Sequence, residues 1–151
     1  MTRKILVPLD GSMDSESVLI AARNVAESWG PAALHLLHVA PPTESVVVDG
    51  RVVSYADQET DRARWQALAY LDRIAASLEG LDIETEVRFG DPVSAIVDAA
   101  REARADCIAM ATAVTTVRSV LNLSVAERVL RASGLPVLLV HESAWQTAPV
   151  R

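Results

Sequence analysis

Hydrophobic positions along the chain follow two rhythms. Four short runs carry almost no polar residue inside them: Ile5–Leu9, Ala33–Ala40, Asp106–Ala111 and Val137–Val140. A run without alternation has no face to give to water, so each predicts a strand buried on both sides, as in the middle of a parallel sheet. Between the runs, apolar residues recur every third or fourth position, which marks one face of a helix. Val18, Ala22, Val25 and Trp29 form one such stripe, Ala67, Leu71, Ile74 and Leu78 a second, and Val93, Ile96, Ala100 and Ala103 a third. Ile83 to Phe89 is different. There Ile83, Thr85, Val87 and Phe89 alternate with Glu84, Glu86 and Arg88, which predicts a half-exposed strand at a sheet edge.

Local signals set the boundaries. Ser12 or Asp14 can cap the first helix, and Gly30-Pro31 ends it. The second helix is predicted from about Gln58 to Leu78, with Gly80 as its stop. Gly90-Asp91-Pro92 starts the third, with Asp91 as N-cap and Pro92 at the first helical position. Ser124-Val125-Ala126-Glu127 reads as a capping box opening a fourth helix, closed by Gly134 and Pro136. Pro41 to Asp57 is a long connection. Within it, Val46-Val47-Val48 and Val52-Val53 flank Asp49-Gly50, the pair preferred in type I′ hairpin turns. Such a hairpin is a surface loop, a flap over a cleft, or a contact with another subunit. The tail from Glu142 to Arg151 shows no periodicity.

Strands alternating with helices predict an α/β fold, a doubly wound five-stranded parallel sheet with helices on both faces. With right-handed crossovers and a central first strand, the winding reverses beside that strand. The loops after strands one and four then face each other, where open α/β sheets place their ligands. This brings Asp10-Gly11-Ser12 opposite the stretch from Ala111 to Ser124.

Composition narrows the reading. The length of 151 residues suits one domain, and with aromatics at 4% its core must be aliphatic. A net charge of −6 with no basic run argues against a nucleic-acid surface. It leaves room for a small anion held by backbone amides. Cys107 is the sole cysteine, so no internal disulfide is expected, and its strand makes it a core residue rather than a reactive thiol. No signal-like segment or membrane-length apolar run is present, and a cytoplasmic location is the expectation. His35 and His38 resemble a metal pair, but three apart in a strand they point to opposite faces. No metal site and no catalytic residue is assigned. His38, near its strand's carboxyl end, is placed to line the cleft. Asp10 is the first candidate for ligand chemistry, and the alternative is a turn former that starts a helix.

Several motifs together carry a resemblance. Ile5-Leu6-Val7-Pro8-Leu9-Asp10-Gly11-Ser12, Leu37-His38-Val39 with the prolines after it, and Gly90-Asp91-Pro92 with Ile96 resemble the universal stress protein family. So do Asp106 with Ile108, and Ser124-Val125-Ala126-Glu127-Arg128-Val129 followed by Pro136-Val137-Leu138-Leu139-Val140. The match spans nearly the whole chain, with the domain at 1–141, the insertion at about 41–57 and a tail at 142–151. The resemblance implies a Rossmann-like fold of the adenine nucleotide alpha hydrolase type, with strand order 3-2-1-4-5. It also implies a homodimer paired through the last strand, Val137–Val140, and ATP as ligand. On that pattern Asp10, with Gly11 and Ser12, meets the base and ribose side, and the backbone of Val39 meets the adenine. The phosphates would lie along a Gly-x-x-Gly loop closed by a further Gly and a hydroxyl.

This chain departs from that loop. No glycine occurs between Asp91 and Ser133. The family's first two glycine positions fall on or near Ala111 and Ala113 or Val114. The third falls on Leu123, followed by Ser124 and Val125. Glycines there let amides approach phosphate closely, and β-branched residues resist left-handed backbone. What remains is a set of hydroxyls (Ser12, Thr112, Thr115, Thr116, Ser119, Ser124), the cation Arg118 and a helix N-terminus. Ser124 also reads as a cap alone, and Arg118 as a solvated surface residue. The expectation is a non-enzymatic stress-response domain with weak or absent ATP binding. An ATP-binding member using Asp10, Val39 and Ser124 is the alternative, with a nucleotide hydrolase behind it.

Overall fold

The computed structural model describes residues 2–112 and 123–141. Five strands form one parallel sheet: β1 (Arg3–Pro8), β2 (Ala32–Ala40), β5 (Asp82–Phe89), β6 (Cys107–Thr112) and β7 (Val137–His141). Two further strands, β3 (Val46–Val48) and β4 (Arg51–Ser54), pair only with each other. The main order is β5-β2-β1-β6-β7. Counted within that sheet alone, this is the predicted 3-2-1-4-5.

The all-apolar runs are buried as expected. Ile5, Leu6, Val7, Leu34, Leu36, Leu37, Ile108, Ala109 and Met110 are all within 1% of full burial. Helices α2 (Val18–Ser28) and α3 (Ala56–Ser77) cover one face, where Ile5, Val7, Leu9, Leu34 and Leu36 meet Val18, Ala22, Leu71 and Ile74. Helices α4 (Pro92–Glu102) and α5 (Leu123–Ser133) cover the other, where Leu6, Leu37, Ile108 and Met110 meet Val93, Ile96 and Val129. The second predicted stripe is buried at Ala67, Leu71, Ile74 and Leu78, and β5 lies at the predicted sheet edge.

Turn chemistry behaves as its residue types dictate. Asp49 and Gly50 both take positive φ, 51° and 73°, as a type I′ turn requires. Val46, Val47, Val48, Val52 and Val53 of that hairpin are exposed. The Asp91 carboxylate caps α4, accepting from Ser94 N at 3.0 Å.

Two boundaries differ from expectation. The first helix divides into a single turn, α1 (Met13–Glu16), and α2, with helical dihedrals at Ser17 between them. α5 begins at Leu123, so Ser124 stands in its first turn rather than before it. Glu127 pairs forward with Arg131 at 2.7 Å, an i,i+4 contact, and the Ser124 side chain of the expected capping box lies outside what is described.

Candidate functional site

The site is built at the carboxyl ends of β1 and β2. After Pro8 the chain leaves the sheet through Leu9, turns at Asp10-Gly11-Ser12 and enters α1. The turn closes on the Asp10 side chain. Its Oδ1 accepts from Ser12 N at 2.8 Å and from the Ser12 hydroxyl, an Asx turn that supports the turn-former reading. Ser12 Oγ in turn accepts from Ser15 N at 3.1 Å and caps α1. Ser15, 2% exposed, finishes the knot. Its Oγ donates to Ser12 O at 2.9 Å and accepts from Asp10 N at 3.2 Å. Gly11 sits at φ +87°, which the turn needs and an L side chain resists. Among the described residues, none takes the second carboxylate oxygen of Asp10, which leaves it available to a ligand.

Beside this corner stands His38. Its Nδ1 lies 2.8 Å from Leu9 O. A carbonyl oxygen only accepts, so Nδ1 carries the proton. The ring meets Tyr70 edge-on, with centroids 6.1 Å apart. Tyr70 OH donates to Glu16 Oε1 at 3.2 Å. Burial, with the Glu16 carboxylate added, pushes its phenol well above the ordinary range, so it stays a donor. A cavity of about 340 Å³ lies here, between Gly11, His38 and Ala40 on the sheet side and Ala63, Gln66, Ala67 and Tyr70 on the other. Sequence reading pointed to His38 but missed Tyr70, Ser15 and Glu16. Tyr70 sits next to the Ala67–Leu71 stripe, and a polar-tipped aromatic there is the one local clue.

The rest of the predicted set divides. Val39 lies on β2 next to His38, with its side chain packed toward the α4–α5 layer. Ala111 is buried on β6. The β1–β6 register pairs Leu6 with Ile108, and continuing it puts Ala111 opposite Leu9. The carboxyl ends of β1 and β6 therefore lie side by side in the sheet. Leu123, Ser124 and Val125 form the first turn of α5. Ala113, Val114, Thr115, Thr116, Arg118 and Ser119 lie outside the described residues. Cys107 is buried, and burial pushes its thiol up, away from the reactive thiolate. His35 and His38 do face opposite ways, His35 toward Glu84 and Glu86. Among the described residues no cluster of three or more His, Cys, Asp or Glu could hold a metal ion, and no helix is long and apolar enough to cross a membrane.

Comparison with known proteins agrees with this geometry. Residues 1–141 match the Universal stress protein family. The chain is similar to Universal stress protein MJ0531 of Methanocaldococcus jannaschii, 32% identical over 93% of this chain and 82% of that protein. Among solved structures it is similar to a universal stress protein family member from Burkholderia pseudomallei, with TM-score 0.68, 28% identity and coverage of 91% and 94% of the two chains. A universal stress protein in complex with cAMP matches at TM-score 0.63 and 24% identity, over 93% of this chain and 98% of that one. The chain belongs to the universal stress protein family.

Proposed function

We propose that this protein is a non-enzymatic, homodimeric stress-response domain. Its Asp10 corner takes the nucleoside end of an adenine nucleotide, and a triphosphate adds little to the binding. The reading is carried by one contrast. The corner at Asp10-Gly11-Ser12 is closed, with one Asp10 carboxylate oxygen unpartnered among the described residues, while no glycine occurs between Asp91 and Ser133, where phosphates would be cradled. The cAMP complex of a structural relative supports an adenine nucleotide as the ligand class. On this reading Asp10 meets the ribose side, Val39 backbone meets the base, and the first turn of α5 at Leu123, Ser124 and Val125 lies toward the phosphate. Leucine in place of glycine before Ser124 is the specific obstacle.

Calorimetric titration with AMP and ATP tests this. The expected result is similar, weak binding of both, reduced by Asp10→Ala. ATP binding more than about tenfold tighter than AMP would put the triphosphate in a working cradle and favour the second reading, an ATP-binding member that grips phosphate through Ser124. Steady phosphate release from ATP would instead make it an enzyme.

Homodimerisation rests on β7. Among the described residues it has a neighbour on one side only, β6. Leu139 on it and Leu130 on α5 are exposed, and with Ala126, Val137 and the charged Glu127 they line a mostly apolar groove at that edge. A bare apolar edge strand pairs readily with its own copy about a two-fold axis.

A further inference from the structure

The β1–β2 ladder stops one bond early, at the carbonyl that His38 meets. In a parallel ladder each residue of one strand donates to the strand beside it and accepts from the residue two further along. Leu9 makes the first bond, with Leu9 N donating to Leu37 O at 2.8 Å. The second should be Val39 N donating to Leu9 O. It is absent: the paired register ends at Pro8 and Leu37. Leu9 O is occupied instead by the imidazole of His38, whose Nδ1–H donates to it at 2.8 Å. Gly90 N bonds Ala40 O, so the even-numbered residues of this part of β2 direct their backbone groups toward β5. Val39 N–H and C=O must then both face the β1 side, just above the Asp10 corner. Neither has a partner among the described residues.

The geometry points to His38 as a positioning residue. By taking Leu9 O for itself, it keeps the Val39 amide out of the ladder and free for a ligand. A free N–H beside a free C=O on one residue is a donor–acceptor pair, which fits a planar base that offers an acceptor and an amino donor on one edge. Adenine offers this pair at its ring nitrogen and exocyclic amine. This assignment rests on the nucleotide reading above, but it places a new residue in it. His38 acts without touching the base, through a backbone group it leaves unpaired.

The test follows the Val39 amide in the full-length protein by NMR hydrogen exchange, alongside calorimetric binding of AMP. In the free protein this amide should exchange fast while the ladder amides before it exchange slowly, and AMP should slow it. His38→Phe keeps a ring but removes the N–H. It should let Val39 bond Leu9 O, slow the exchange without ligand, and weaken AMP about fivefold to tenfold. His38→Asn places a side-chain N–H near the same position and should restore both properties. A Val39 amide already protected in the free wild type, or equal AMP affinity in wild type and His38→Phe, overturns the inference and leaves the nucleotide reading standing. No AMP binding by the wild type overturns both. If His38→Phe does not fold, His38→Leu, which also lacks the ring N–H, takes its place with the same two readouts and the same deciding outcomes.

Discussion

At the scale of single residues, backbone conformation separates what a position needs from what occupies it. α4 ends in a complete Schellman motif. Arg104 N donates to Arg101 O at 3.1 Å and Ala105 N to Ala100 O at 2.9 Å, the two bonds that define it. The left-handed position of this motif normally holds glycine, yet here it holds Arg104 at φ 53°. Left-handed backbone costs an L residue about 1–2 kcal/mol. Part of that is offset because glycine loses more freedom on folding. Arg104→Gly should therefore stabilise the protein by roughly 0.5–1 kcal/mol, read as a higher urea midpoint at unchanged slope. Gly11 is the opposite case, a left-handed position filled by the residue it calls for. Asp10 could be read from sequence as a ligand group or a turn former, and its two oxygens serve the two roles separately. One closes the turn, and the other has no partner among the described residues. No pattern in the sequence could divide the side chain that way, because the division depends on where Ser12 comes to lie.

At the scale of elements, the edge strand β5 carries its own electrostatic design. Its outward residues join a continuous chain across β1, β2 and α4. Lys4 Nζ meets Glu84 at 3.0 Å, Glu84 meets His35 at 3.0 Å, and His35 meets Glu86 at 2.7 Å. Arg88 then links Glu86 to Glu102 on α4. Both ring nitrogens of His35 thus face a carboxylate oxygen, one from Glu84 and one from Glu86. The hydrogen bond from Lys4, then that from His35, holds the Glu84 carboxyl below its ordinary value, and Arg88 does the same for Glu102. Folded-state values lowered in this way stabilise the protein above the unfolded carboxylate range, and that stabilisation is lost as pH falls through the lowered values. Lys4→Gln removes the largest cause at Glu84. The urea midpoint at neutral pH should then fall slightly, by little because these pairs are largely exposed, and the gap to wild type should close as pH falls through the lowered carboxyl values. A gap that is absent at neutral pH, or that does not close in acid, would show that the chain of contacts does not couple to stability in this way. The alternation of Ile83 to Phe89 announced an edge strand, but the partners of its charged face come from three distant segments.

At the scale of the whole molecule, the two ends of the sheet order are treated differently. β5 covers its edge region with charge, a common defence against unwanted pairing. β7 itself carries no Asp, Glu, Lys or Arg: Leu139 is exposed, and the groove beside it is lined by apolar residues and Glu127. If that edge pairs with its copy, Leu139→Glu puts two like charges close together across the two-fold axis. Sedimentation should show a dimer in wild type and a monomer in Leu139→Glu. A monomer in both, independent of concentration, would reject the dimer.

The pattern of hydrophobic positions was enough by itself to determine the α/β class, the alternation of elements, the edge strand, the Asp91 cap and the Asp49-Gly50 hairpin. Each of these depends on residues near one another in the chain, where periodicity and turn chemistry act directly. The family motifs supplied the strand order and the location of the cleft. Only tertiary structure decided that the His38 ring, rather than the next ladder amide, would meet Leu9 O, and that a single oxygen of Asp10 would close the turn with Ser12. Those outcomes turn on distances of a few ångströms between groups far apart in sequence. Helical and strand repeats fix which face a side chain lies on, and leave open which hydrogen-bonding group reaches a shared acceptor first.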